Sequence, residues 1–214
     1  MSSSTIPIFP LPTVVLFPHV FLPLHIFEAR YRQMVADALS GDRMIGMTLL
    51  KGVAGSESDE PPPVYAVGCS GVITHVERLA DGRFNLVLRG LEKFRILGEQ
   101  PPASGQLYRT AVIAPIDETV LEAERLGLAA ERRRLEAQLA PLFDRAQAAS
   151  LLPEAMPDVD LVNALAQYLE FDPVERQALL EQQGPLARCR AIMELLEVKA
   201  LLERMSAREP GTVH

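Results

Sequence analysis

The side chains that could do covalent or metal chemistry are few in this chain, and they are scattered. The four histidines are His19, His25, His75 and His214. None stands at metal-ligand spacing from a Cys, Asp or Glu. His25, inside Pro-Leu-His-Ile-Phe, is expected to pack and hydrogen-bond locally, and His75 to sit half-exposed in a strand. Cys69 and Cys189 lie 120 residues apart among apolar neighbours; they read as buried, reduced thiols. A lysine acting as base must be desolvated beside its serine. Lys51 adjoins a polar loop, Lys93 lies in a strand and Lys199 on a helix face, so none has that setting. No Gly-Lys dipeptide occurs, which removes the phosphate-cradling G-x-x-x-x-G-K-[ST] loop. The nucleophile elbow G-x-S-x-G and the dinucleotide pattern G-x-G-x-x-G are missing too. These residues lead to an expectation of no catalytic residue, no cofactor and no metal.

Three other side chains can be read in two ways. Glu28 stands at a helix start, where the macrodipole favours a carboxylate. Arg30 and Tyr31 follow it. They either clasp the helix to a sheet or line a groove that takes a peptide. Arg89, in a strand just before Gly90, carries the same two readings. The run Glu131-Arg-Arg-Arg-Leu-Glu136 mixes signs at helical spacing and is expected to be a solvated, self-paired face.

The elements that must hold these residues are legible from period and punctuation. Residues 6–32 alternate short apolar runs with prolines, which belong at strand edges, first strand positions or bulges. This predicts two or three short strands feeding a helix over 28–39, stopped by Gly41. Residues 43–50 read as a strand buried on both faces, and 51–63 as an acidic loop. From 64 to 116 the pattern is antiparallel sheet, with a hairpin at Asp81-Gly82. Gly90 is expected at a bend or bulge before Lys93. After 117 the period lengthens: a helix over 119–149, a second from Asp158, a third capped by Asp172, Pro173 and Glu175, and a last one from Pro185 to about Arg208. Leu186, Cys189, Ile192, Met193, Leu196, Ala200 and Met205 form the apolar stripe of that last helix.

A chain of 214 residues, 48% hydrophobic and 23% charged, can form one large domain or two small ones and is not a disordered chain. The net charge of −7 speaks against nucleic acid and against an anionic membrane surface. The apolar N-terminus lacks a basic n-region, and prolines break each candidate h-region. No stretch reaches the roughly 20 apolar residues of a membrane span, so a cytoplasmic protein is expected. Residues 1–117 carry 10 basic and 11 acidic side chains, and 118–214 carry 11 and 17. A near-neutral β-rich part thus precedes an acidic helical one.

Three blocks together resemble the N-terminal domain family of Lon proteases. The first is Pro10-Leu-Pro12, Val15-Leu-Phe-Pro18, Leu22-Pro-Leu-His-Ile-Phe-Glu28 and Arg30-Tyr31. The second is Val67-Gly68, Asp81-Gly82-Arg83, Leu88-Arg89-Gly90 and Phe94-Arg95-Ile96. The third is Phe171-Asp-Pro173, Arg176-Gln177 and Leu179-Leu-Glu181. The resemblance implies an α+β fold: a β-rich pseudo-barrel with one helix over 1–117, of the pseudouridine-synthase-and-archaeosine (PUA)-like type, then a helical bundle over 118–214. It implies a non-catalytic, substrate-binding module for unfolded or exposed polypeptide segments; in such a module Arg30, Tyr31 and Arg89, on the second of their two readings, are the candidate peptide-binding residues. It does not carry ATPase or protease activity to this chain. The alternative is an adaptor or regulatory partner of a separate protease or complex. A homodimer is left open.

Overall fold

The computed structural model describes residues 3–52, 61–142 and 155–206. Most of the expected acidic loop, residues 53–60, and the far end of the expected helix, residues 143–149, lie outside them. The chain groups into two compact units. One is Met1–Glu118 with Asn163–Glu181; the other is Thr119–Val162 with Gln182–His214.

The first unit is built on a six-stranded sheet of order β2-β5-β4-β3-β1-β6. The strands are β1 (Ser4–Leu11), β2 (Phe21–Ile26), β3 (Met44–Leu49), β4 (Val67–Arg78), β5 (Phe84–Gln100) and β6 (Arg109–Ile116), and helix α1 (Ala29–Ser40) follows β2. Only β1 and β3 pair in parallel; every other pairing is antiparallel. Because β6 pairs with both β1 and β5, the sheet closes on itself, and β2 is left outside the circuit on the first half of β5.

Proline decides how β1 is used. Its residues 4–8 pair with β6 and its residues 8–11 with β3. Pro7 and Pro10 thus each lie in a stretch paired on one side only, where the missing N–H costs no ladder bond. Within the closed circuit, Ile6, Ile8, Phe94, Ala111 and Ile113 form one buried cluster. Gly68 makes room for it: a Cβ there would fall 2.6 Å from the Phe94 ring and 2.5 Å from the Met47 carbonyl oxygen. On the opposite face of β1, the Phe9 ring lies 4.2 Å from that of Tyr31.

β3 is buried along nearly its whole length, as the sequence predicts. β5 is unbroken, yet its register against β4 shifts between Cys69 and Gly71, where Leu91 and Glu92 stand opposite Ser70 alone. The bulge expected beside Gly90 is therefore present. The reason for glycine is different: a Cβ at Gly90 would lie 2.0 Å from the Phe17 carbonyl oxygen. The turn from Phe17 to Val20 crosses there, held by His19 N–H to Gly90 O and Gly90 N–H to Val20 O, both 2.9 Å.

Val15, Leu16 and Phe17 are buried without belonging to a strand. Buried backbone groups need partners, and side-chain amides supply them. Gln167 accepts from Phe17 N–H at 3.2 Å and donates to Val15 O at 2.9 Å. Asn163 donates to Pro18 O at 3.0 Å, and Gln177 to Val67 O at 3.0 Å. These amides explain why Asn163–Glu181 groups with the sheet and not with the other helices. That segment includes the later turns of α3 (Asp158–Tyr168) and all of α4 (Pro173–Leu180). At the start of α4, Glu175 accepts from Asp172 N–H at 2.7 Å, completing the expected capping box.

In the second unit, α2 (Glu122–Leu139) and α5 (Pro185–Ser206) run parallel. Gly127 approaches Leu186, Glu131 bonds Arg190 at 3.0 Å, and Gln138 donates to Met193 O at 3.2 Å. The helix expected to run past Pro141 changes at Leu139 into a 3-10 turn over Ala140–Leu142, because a proline ring clashes with the carbonyl four residues back. Glu131 and Arg132 are buried and not solvated. Arg132 meets Glu136 at 2.7 Å and Asp158 at 2.8 Å, and bonds Met156 O. The stripe of α5 is also shorter than its pattern. Cys189 and Ile192 are buried, but Met205, expected inward, is exposed with Val198, Leu201 and Leu202. Among the described residues, no helix is long and apolar enough to cross a membrane, and no group of three His, Cys, Asp or Glu could hold a metal ion.

Candidate functional site

The open margin of the sheet is β2, and its geometry follows from one proline. Phe21, Pro23 and His25 alternate with Leu22, Leu24 and Ile26. The second set lies opposite Leu88, Leu86 and Phe84, which are buried. The first set lies opposite Arg89, Val87 and Asn85 and faces outward. Tyr168 Oη donates to Phe21 O at 2.8 Å, whereas Val20 O accepts from β5 through Gly90 N–H. Backbone groups of alternate residues point in alternate directions. The N–H and C=O groups of Phe21 and His25 and the carbonyl of Pro23 therefore lie along the free margin. Pro23 interrupts its row of N–H groups, and one of its carbonyls is already occupied. A proline there blunts strand addition.

The side chains of the same residues make a different surface. Phe21 is 50% exposed, Phe27 62% and Tyr168 57%. The His25 and Phe27 rings stack at 6.2 Å, so Phe27 continues the outward line. The result is a ridge of Phe21, Pro23, His25 and Phe27, about 20 Å long at strand rise. Exposed aromatics brought together in this way mark an interaction surface. Beside the ridge runs a polar chain: His25 Nδ1 lies 2.7 Å from Asn85 Oδ1, Asn85 donates to Glu77 at 2.9 Å, and Arg83 pairs with Asp81 at 2.6 Å.

The three residues named from the sequence are placed apart. Arg30 and Arg89 flank opposite ends of β2. Arg30 is exposed, pairs with Glu28 at 2.8 Å, and lays its guanidinium 4.5 Å from the centre of the Tyr31 ring. Tyr31 itself is 4% exposed and donates to Pro10 O at 3.0 Å. Burial, more than any nearby charge, pushes its hydroxyl pKa up, which keeps it a donor. It is the clasp between α1 and β1. Arg89 is exposed, stands directly opposite Phe21, and makes no side-chain hydrogen bond or ion pair among the described residues.

The sequence reading missed Tyr168 and the amides of Asn163, Gln167 and Gln177. One signal was available for the ridge: apart from His25, residues 21–27 are apolar at odd and even positions alike, although a marginal strand has only one face to bury.

Lys93 and Cys189 sit in settings that argue against reactivity. Lys93 is buried and pairs with Glu118 at 2.9 Å. Burial pushes the Cys189 thiol up to about 12, with Glu131 adding to the shift.

Comparison with known proteins gives a consistent answer. A family model described as the ATP-dependent protease La (LON) substrate-binding domain matches residues 5–198. The Lon protease of Trichlorobacter lovleyi is 27% identical over 96% of this chain and 26% of its own length. That of Dictyoglomus thermophilum is 30% identical over 82% of the chain and 22% of its length. The chain thus spans about a quarter of the curated relatives it matches. Among solved structures, a Lon N-terminal domain protein from Xanthomonas campestris covers 89% of this chain and 98% of its own with a TM-score of 0.58 at 22% identity. The N-terminal domain of a Mycobacterium avium complex Lon protease covers 91% and 98%, with a TM-score of 0.66 at 16% identity. These likenesses show the fold.

Proposed function

The chain belongs to the family of Lon substrate-binding domains, and from that premise we propose that it captures unfolded or exposed polypeptide segments on the aromatic ridge of β2. The observation that carries this reading is the exposure of Phe21, Phe27 and Tyr168 together at one sheet margin. Capture works through side chains. Pro23 breaks the row of N–H donors that a client would need to add as a strand, while aromatic faces accept many apolar side chains at small entropic cost. Arg89 and Arg30 border the surface, and Tyr31 supports it from within. Affinity for a shallow surface of this kind is micromolar, about −8 kcal/mol. The module performs no reaction of its own. Its two buried cysteines, neither of them in a disulfide, suit a reducing cytoplasm, where such segments are met.

Calorimetry with a permanently unfolded model protein tests the reading. The expected result is micromolar binding that the double substitution Phe21→Ser/Phe27→Ser weakens at least tenfold. Unchanged binding by that variant overturns it.

A second reading rests on α5. Val198, Leu201, Leu202 and Met205 lie on one helical face and are all exposed, a surface suited to a defined protein partner such as a protease. Recovery of one stoichiometric partner, with no binding of unfolded chains, would favour this adaptor role.

A further inference from the structure

We infer that the ridge selects by charge: it takes extended apolar segments that carry an Asp or Glu beside the apolar side chain, and disfavours those flanked by Lys or Arg. This deepens the peptide-capture reading and rests on it. Arg89 and Phe21 are direct cross-strand partners on the outward face, so an apolar side chain lying on Phe21 brings its neighbours within reach of the guanidinium. The other cations near the ridge are engaged: Arg30 with Glu28 and Arg83 with Asp81. Arg89 is not, among the described residues. The acidic groups nearest Arg89 on β5 and β4 are the exposed Glu92, at the bulge, and Glu77, opposite Asn85. Glu92 lies three residues and Asn85 four residues from Arg89 along β5, about 10 and about 13 Å at strand rise, both beyond a Debye length at physiological salt, and neither Glu pairs with Arg89. At the Phe21 end the local field is therefore that of one uncompensated cation. A carboxylate placed there gains an exposed ion pair, whereas an ammonium meets repulsion. The chain's overall negative charge works against this only over distances that salt screens.

The test uses two acetylated, amidated peptides with the same Phe- and Leu-containing core, one flanked by Asp and one by Lys, so that no terminal carboxylate contributes. Binding is read by fluorescence anisotropy. The acidic peptide is expected to bind about three- to fivefold tighter at low salt, the size of an exposed ion pair. That advantage should vanish near ~0.5 M salt. Arg89→Glu, at an exposed position, should leave the fold intact by circular dichroism and reverse the preference. Equal binding of both peptides, or an Arg89→Glu protein with the wild-type preference, overturns charge selection while peptide capture stands. Failure of both peptides and of unfolded protein to bind overturns both.

Discussion

Gly90→Ala should unfold the first unit far more readily than the loss of one hydrogen atom suggests. The new Cβ would stand 2.0 Å from the Phe17 carbonyl oxygen and 2.9 Å from its carbonyl carbon. Both are backbone atoms, so no side chain can rotate away, and the turn must move by about 1 Å or more to reach ordinary contact. That movement breaks or lengthens two 2.9 Å bonds, His19 N–H to Gly90 O and Gly90 N–H to Val20 O, each worth about 1 kcal/mol. It also lifts Leu16 and Phe17, both fully buried, out of register. Forced overpacking costs about 1–3 kcal/mol by itself, which brings the total to about 3–5 kcal/mol. This is a large share of the 5–15 kcal/mol that holds most domains. The assay is urea unfolding followed by circular dichroism, since the chain has no tryptophan. Gly98→Ala is the control: nothing lies within 4 Å of its Cβ position, and its midpoint should stay near that of the wild type. A Gly90→Ala midpoint indistinguishable from the Gly98→Ala midpoint would refute the close-approach argument.

Gln167→Ala should destabilise by about 2–3 kcal/mol, because it orphans the buried Phe17 N–H and Val15 O together; restoration by a water-filled cavity would show as a loss below ~0.5 kcal/mol. Lys93→Met should cost about 3–5 kcal/mol by taking the buried cation away from Glu118, and Lys93→Met/Glu118→Leu should recover most of it, as read from paired unfolding curves. The Cys189 pKa is raised on folding, so its contribution to stability is complete below the unfolded thiol's pKa and falls away as pH rises through about 9 towards about 12. Cys189→Ala should therefore flatten the loss of thermal stability over that alkaline window, and a steepness equal to the wild type's would count against it.

Periodicity was enough for the strands, since a sheet face is written in alternate residues: the doubly buried β3 and the bulge beside Gly90 were both legible. The helices were legible where the cap was chemical, as at Asp172 and Glu175. What failed did so for physical reasons. Glu131 and Arg132 look like a solvated charge run because helical spacing records which face a side chain takes, not whether another helix covers it. Asn163 and Gln167 look like ordinary polar positions because the non-strand segment they satisfy lies about 150 residues away in sequence. Arg30 and Tyr31 are neighbours in sequence, yet one is exposed and the other is core, which no local pattern distinguishes. The outward face of Arg89 was legible, since its strand position fixed it. Its partner surface on Phe21 required the β2–β5 register.

The most direct measurement of polypeptide capture on the β2 ridge is residue-resolved. Isotope-labelled protein is titrated with an unfolded polypeptide while amide resonances are followed. The account predicts fast-exchange shifts concentrated on residues 21–27, on 85–89 and at Tyr168, saturating at micromolar to sub-millimolar ligand. Shifts confined to α5 or to the α2–α5 groove, or no shifts at any ratio, would contradict it.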